Sequence, residues 1–223
     1  MEHLIEFIEN NSTEIIENID FESVEVYNFL KSQFEISNVT ENYLFQFVFR
    51  SFYRLDNAGL TPKFKIEFFR ILEEIRNQKT FNFEEILKQL YNFPNRKGQN
   101  TLQFSFVTKM LNTIENKMPI YDSEVAKMFN VSRPYYNEFD KKLEVYLNQL
   151  NLVQESYEKI IKENLLPIVN EKFNQKFKNH NLEEMKKLDF IFWSSGKIKK
   201  KQENQNGDNG FHKIEELDEI DNK

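Results

Sequence analysis

Apolar residues recur along this chain at spacings of three and four, and no stretch sustains an alternation of apolar and polar positions. That spacing lays a stripe of side chains along one face of an α-helix, whereas a half-buried strand needs a period of two. From Phe21 to Ile36 the pattern predicts an amphipathic helix with Val26, Tyr27, Leu30 and Phe34 on one side. Thr40 is placed to cap a long helix to about Asp56, closed by Asn57-Ala58-Gly59. Thr61 at the N-cap and Pro62 at the first helical position open the next, whose stripe is Phe64, Phe68, Ile71, Leu72 and Ile75. Asn82 caps a short helix through Phe93, which Pro94 stops. The polar, basic loop from Asn95 to Asn100 leads into a helix from about Thr101 to Asn116. Pro119-Ile120-Tyr121 reads as an extended link, and Asp122 caps a helix to about Phe129. Pro134 or Asn137 begins a long helix to about Asn164, Pro167 breaks it, and a further helix reaches about Lys178. Asn181 caps the last helix, which ends at Trp193-Ser194-Ser195 with Gly196 just past its end.

The expected fold is therefore all-α, with nine or ten helices and no internal repeat. Five Gly and five Pro leave little punctuation for hairpins. After Gly196 the chain changes to KIKKKQENQNGDNGFHKIEELDEIDNK, poor in apolar residues and with segregated charge. Such a stretch cannot bury enough apolar surface to offset its ordering, so 197–223 is expected to be a disordered charged tail, with a small acidic helix around Ile214 to Leu217.

Charge sharpens the division. The whole chain has 36 acids against 30 Lys and Arg, a net of −6, which argues against a nucleic-acid partner. Residues 1–44 hold ten acids and one base, Lys31, and residues 202–223 hold seven acids and two bases. The stretch between them has 27 bases and 19 acids, a net of +8. Three parts result: an acidic N-terminal helical segment, 1–44; a basic helical body, 45–196; and the tail, 197–223.

Composition removes several chemistries. Without Cys there is no disulfide, thiol nucleophile, iron–sulfur cluster or Cys-type zinc site, and His3, His180 and His212 are far apart. Walker A, dinucleotide, HExxH, GxSxG and EF-hand patterns are absent from the sequence, so no cofactor or metal is expected. No run approaches 18 apolar residues, and MEHLIEFIEN carries acids where a signal peptide needs bases, so a cytoplasmic protein without a membrane partner is expected. The 23 Phe, 9 Tyr and single Trp supply area for a real core.

Three segments could carry function. In Phe49 to Thr61, Arg50 and Arg54 stand four apart among aromatic residues, suited either to acidic partners on a neighbouring helix or to phosphate. In Gln103 to Leu111, Lys109 lies within an apolar helical stretch, and Asp122 begins the next helix. Burying that amine would lower its pKa and leave a neutral nucleophile, able to attack a sugar C1′ and form a Schiff base. A carboxylate beside it could take a proton or stabilise an oxocarbenium-like charge. The plainer alternative has Lys109 reaching to solvent and Asp122 serving as an ordinary cap. In Lys187 to Lys197, Trp193 is either core packing or one wall of a pocket with Lys197 at its rim.

The pattern Ser105-Phe106-x-Thr108-Lys109-x-Leu111, then Pro119-Ile120-x-Asp122-Ser123-x-Val125, resembles the core of the helix-hairpin-helix DNA glycosylase superfamily. FYRLDNAGLTPKFK, the Lys–Asp core and DFIFWSSGK together resemble blocks of a small, uncharacterised family of bacterial proteins, over about residues 44–197. The glycosylase resemblance implies a two-lobed helical domain, with Lys109 as the Schiff-base amine and Asp122 as its acidic partner. In that superfamily the hairpin before the lysine is normally Gly-rich; here it is Asn95 to Asn100, with Gly98 its single glycine, and 13 residues separate Lys109 from Asp122.

These observations lead to an expected DNA-binding protein that excises a base after flipping it from the duplex. Arg96, Lys97 and Gly98 would meet phosphates, helped by Arg50, Arg54 and Lys197, and Tyr121 or Trp193 would stack on the extruded base. The alternative is a non-enzymatic helical interaction module of a phage-defence or stress system, meeting a protein partner through the acidic N-terminal segment or tail. DNA binding without chemistry is a third reading.

Overall fold

Four helices in this chain begin where the N-cap side chain accepts from an otherwise orphaned backbone amide. A computed structural model describes residues 1–218 apart from Lys79, with side chains described as far as Gln205. In chain order the helices are α1 (Glu2–Asn10), α2 (Ser12–Glu17), α3 (Phe21–Ile36), α4 (Tyr43–Phe52), α5 (Pro62–Glu74), α6 (Phe83–Tyr91), α7 (Phe104–Ile114), α8 (Ser123–Met128), α9 (Phe139–Glu163), α10 (Pro167–Lys176) and α11 (Glu184–Asp218). One 3₁₀ turn, Leu55–Ala58, lies between α4 and α5. The protein is all-helical; no strand occurs among the described residues. No helix among them is long and apolar enough to cross a membrane.

Three expected caps are present. Thr61 Oγ1 accepts from Phe64 N at 3.3 Å, Asn82 Oδ1 from Glu85 N at 3.1 Å, and Asp122 Oδ1 from Glu124 N and Val125 N at 2.9 and 3.0 Å. Elsewhere local side chains move the boundary. Thr40 caps nothing, because its amide and hydroxyl both turn back onto Asn38 Oδ1, and Asn42 caps α4 instead. That helix stops at Phe52 rather than Asp56, since Arg54 takes the left-handed conformation (φ 59°) before the 3₁₀ turn. The helix expected from Thr101 begins at Phe104, and Asn181 does not cap α11 but sits left-handed (φ 51°) ahead of it.

The largest correction is at the C-terminal end. Gly196 does not terminate the last helix: α11 passes through it and runs to Asp218. The glycine is there for approach, not for a turn. A Cβ at 196 would stand 2.3 Å from the Glu124 carbonyl oxygen and 2.8 Å from its Cα, so only hydrogen lets α11 lie against α8. Residues just beyond it pack rather than trail. Ile198 is buried, Lys199 donates to Lys127 O and Asn130 Oδ1, and Gln202 donates to Asn11 Oδ1. The expected disorder over 197–223 is thus overturned for 197–202, where Lys199 finds acceptors on α8 and in the turn after it, Lys201 pairs with Glu14 on α2, and Gln202 reaches Asn11 between α1 and α2; residues 219–223 lie outside the described residues.

A continuous apolar cluster runs from Ile8 to Ile198. Helix α11 is its axis, with α2, α8, α9 and α10 packed on it, while α3 meets α4, α5 meets α6 and α6 meets α7. The stripe of the acidic N-terminal segment is spent inside this cluster, where Ile8, Ile15, Ile16 and Ile19 are buried. Asn18 donates to Ser194 Oγ, which donates to Ile15 O, and Lys176 caps the end of α2 through Ile16 O and Ile19 O.

Candidate functional site

On α7, Phe104, Val107, Met110 and Leu111 supply the buried stripe, and Lys109 is carried inward with them, only 8% exposed. Its Nζ donates to Ser105 Oγ one turn back, at 2.8 Å, and lies 5.3 Å from the Phe106 ring centroid. Among the described residues no carboxylate is within ion-pairing distance of it. Burial pushes the amine below the usual lysine range, and the more distant charges of Asp122 and Asp189 offset only part of that.

The link from α7 to Asp122 is fixed atom by atom. Thr108 Oγ1 accepts from Tyr121 N at 3.1 Å, Asn112 Nδ2 donates to Met118 O at 2.7 Å, and Asp189 Oδ1 accepts from Ile120 N at 2.9 Å. Asp189 comes from α11, so three side chains from two helices, α7 and α11, hold one extended stretch of backbone. At its end Asp122 spends one carboxylate oxygen on the amides of α8.

Asp189 itself is buried beside Lys186, at 3.4 Å from Nζ, and Asn112 bridges the two. Lys186 is 2% exposed, with Nζ 4.5 Å from the Tyr27 ring centroid. Burial pushes the Asp189 carboxyl up to about 6, against the pull of Lys186 and of the Ile120 amide. Burial likewise lowers the Lys186 amine, and Asp189 opposes the shift. Thr108 and Asp189 fall inside the sequence blocks that carry the resemblances, without an assigned role, and Asn112 and Lys186 do not stand out in the sequence. The sequence carries no signal for Lys186 or Asp189, since MKKLD reads as a solvated stretch; only the structure shows that Met185 to Phe192 is buried on every side, where charges must be paired.

Above Lys109 opens a cavity of about 570 Å³. It is lined by Lys109, Asp122, Tyr121, Arg54, Trp193 and Lys197, members of all three segments that the sequence singles out. Arg133, from the turn after α8, also reaches it. Trp193 is half-buried, with Lys197 Nζ 3.6 Å over its ring centroid. Burial first, then the charge of Arg54, lowers the Lys197 amine. Tyr121 is a fixed wall rather than a free platform. Its ring meets Phe104 and Tyr146 edge-on at 5.6 and 5.7 Å, and its hydroxyl donates to Gln149.

Other expected contacts lie elsewhere. Arg50 pairs with Asp56 at 3.2 Å, which Lys65 also engages at 2.6 Å, and it does not line the cavity. The loop of Arg96, Lys97 and Gly98 is likewise outside it, pinned to the turn after Arg54 by Arg96 N donating to Gly59 O at 2.8 Å. Asn95 Oδ1 takes the amides of Lys97 and Gln99, and Asn95 O takes that of Gly98, whose φ is 75°. Every amide from 96 to 99 therefore has an internal acceptor. The loop can offer a phosphate its cationic side chains but not the backbone cradle of a Gly-rich hairpin.

Comparison with protein-family models, curated proteins and solved structures finds no match to this chain.

Proposed function

We propose that this chain is a DNA-binding, helix-hairpin-helix glycosylase-like protein that releases a base through the Lys109 amine. The observation that carries the reading is a buried, carboxylate-free lysine facing a cavity whose wall also holds Asp122. Such an amine is neutral over more of the pH range than an ordinary lysine, and the cavity volume falls within the roughly 300–1,000 Å³ of small-molecule sites. In this reading α6 and α7 are the paired helices of the hairpin element, and the cavity lies between two helical lobes.

Lys109 Nζ attacks C1′ of an extruded nucleotide, and the C1′–base bond breaks with its electron pair leaving on the base. Asp122 takes the proton shed by the attacking nitrogen. Opening of the sugar ring, with O4′ taking a proton, leaves an imine between C1′ and Nζ. The Arg96 loop and the net +8 of residues 45–201 supply phosphate contacts through side chains, the sequence-independent part of DNA affinity.

Borohydride tests this directly, because hydride reduces the imine to a permanent C–N bond. A duplex carrying an abasic site is expected to give a covalent adduct with the full chain and none with Lys109→Met. Asp122→Asn keeps a good helix cap while removing the carboxylate, so base release should fall about 10²-fold or more without loss of folding. No adduct with the unaltered chain, or full base release by Asp122→Asn, would refute the assigned roles.

A further inference from the structure

Among the described residues, five other than glycine have positive φ, and four of them are Asn: Asn130, Asn164, Asn179 and Asn181. The fifth is Arg54, at φ 59°. Asn enters the left-handed region at low cost because its short side chain bonds locally; a long Arg gains no such relief. An Arg is thus kept where Asn or Gly would be more comfortable, and the turn carries its side chain to the cavity. Arg50, one helical turn earlier, is consumed by Asp56, whereas Arg54 has no acidic partner among the described residues.

Lys197 faces the same mouth from α11. Its nitrogen is stacked on Trp193, with no carboxylate within ion-pairing distance among the described residues. Three carboxylates influence it from further off: Glu124, already paired with Lys127 at 2.9 Å; Asp122, tied to the α8 amides; and Asp20. Two cations from distant parts of the sequence are therefore held near each other, one by a strained backbone and the other on an aromatic face. Like charges lining one cavity repel each other, and an anion bound between them would relieve that repulsion and take charge-assisted hydrogen bonds from both.

We propose that Arg54 and Lys197 form a phosphate clamp at the cavity mouth, holding the phosphate ester of a nucleotide whose base enters the aromatic interior. The clamp deepens the reading of this cavity as a nucleotide site and rests on it, while assigning the phosphate to side chains rather than to the hairpin loop. The same phosphate chemistry is offered by a free nucleotide and by a nucleic-acid strand.

Trp193 is the chain's only tryptophan, so intrinsic fluorescence reports on this site. The full chain is titrated with thymidine, thymidine 5′-monophosphate and single-stranded oligothymidylate. At least one phosphate-bearing probe is expected to perturb Trp193 at a concentration about tenfold or more below that of thymidine, the scale of a charge-assisted hydrogen bond. If the mononucleotide suffices, the source is free nucleotide; if only the oligonucleotide responds, it is a strand; either supports the clamp. Arg54→Asn is the decisive variant, because it relieves the backbone. It should raise Tm by about 2–4 °C while removing the preference for phosphate, and Lys197→Gln should also remove it. Equal response to thymidine and both phosphate probes, or a preference that survives Arg54→Asn, overturns the proposal. Borohydride trapping keeps the two readings apart. An Arg54-dependent phosphate preference without any Lys109 adduct leaves the clamp standing and removes the chemistry, whereas an adduct with no Arg54 dependence does the reverse.

Discussion

Replacing Gly196 by Ala tests the packing of the site with a prediction of sign. In a helix interior, Gly→Ala ordinarily stabilises by about 1 kcal/mol, because Gly gives up more backbone freedom on folding. At 196 the added methyl would meet the Glu124 carbonyl oxygen at 2.3 Å and the carbonyl carbon at 2.7 Å. Ordinary contact begins near 3.4 Å, so α11 and α8 must part by about 1 Å. The obstacle is backbone and cannot rotate away, and α8 is held by Asp122, by Lys127 and by the burial of Val125 and Met128. Overpacking of this kind costs about 1–3 kcal/mol, and backbone contact belongs at the upper end. Set against the propensity gain, the net is a loss of about 2 kcal/mol. For a domain of this size that is a fall in Tm of roughly 4–8 °C, read by calorimetry or by urea unfolding. Because the first turn of α8 carries Asp122 and Glu124 into the cavity wall, ligand response at Trp193 should weaken as well. A Gly196→Ala protein as stable as the unaltered chain, or more so, would refute the account of why the glycine is there.

The other predictions concern the buried charges. Asp189→Leu leaves the buried Lys186 ammonium without its carboxylate and Ile120 N without an acceptor and is expected to cost about 3–5 kcal/mol; adding Lys186→Met should recover part of that, and strictly additive losses in urea would contradict the pairing. The folded Lys109 amine lies below its unfolded value, so the folded state binds fewer protons and stability should climb as pH rises through the folded value toward about 10.4. Adduct formation should rise over the lower part of that window, with a midpoint below the ordinary lysine value; a midpoint at about 10.4 would show an unperturbed amine. Lys109→Met removes a desolvated charge at nearly constant volume, so Tm should match or exceed that of the unaltered chain even as trapping is lost, and a fall of several degrees would mean the ammonium is a structural tie.

The sequence discloses whatever depends on neighbours a few residues away. Thr61-Pro62, Asn82 and Asp122 start helices because an N-cap bond spans three residues, and Gly59 is left-handed where a turn was expected. Gly196 was misread for the complementary reason: local rules give a glycine after an apolar run the role of a stop, whereas its actual partner is Glu124, 72 positions earlier. Lys186 and Asp189 fall in the same class. At a spacing of three they look like a solvated pair, and only the arrival of α3, α7 and the Pro119–Tyr121 link makes them buried. The same distinction orders the candidate site residues. Lys109, Asp122, Arg54, Trp193 and Lys197 each had a local alternative, and they gather because α11, kept close to α8 by Gly196, brings the third segment against the second. Arg50 had equally suggestive chemistry but is paired locally with Asp56, and the backbone amides of the Arg96 loop are taken up by Asn95 and Gly59. What separates Arg54 from Arg50 is whether a nearby carboxylate already satisfies it. Lys109 is left with one hydroxyl and Arg54 with a strained backbone and no carboxylate among the described residues, and unmet demand of that kind at a shared cavity is where a ligand has most to contribute.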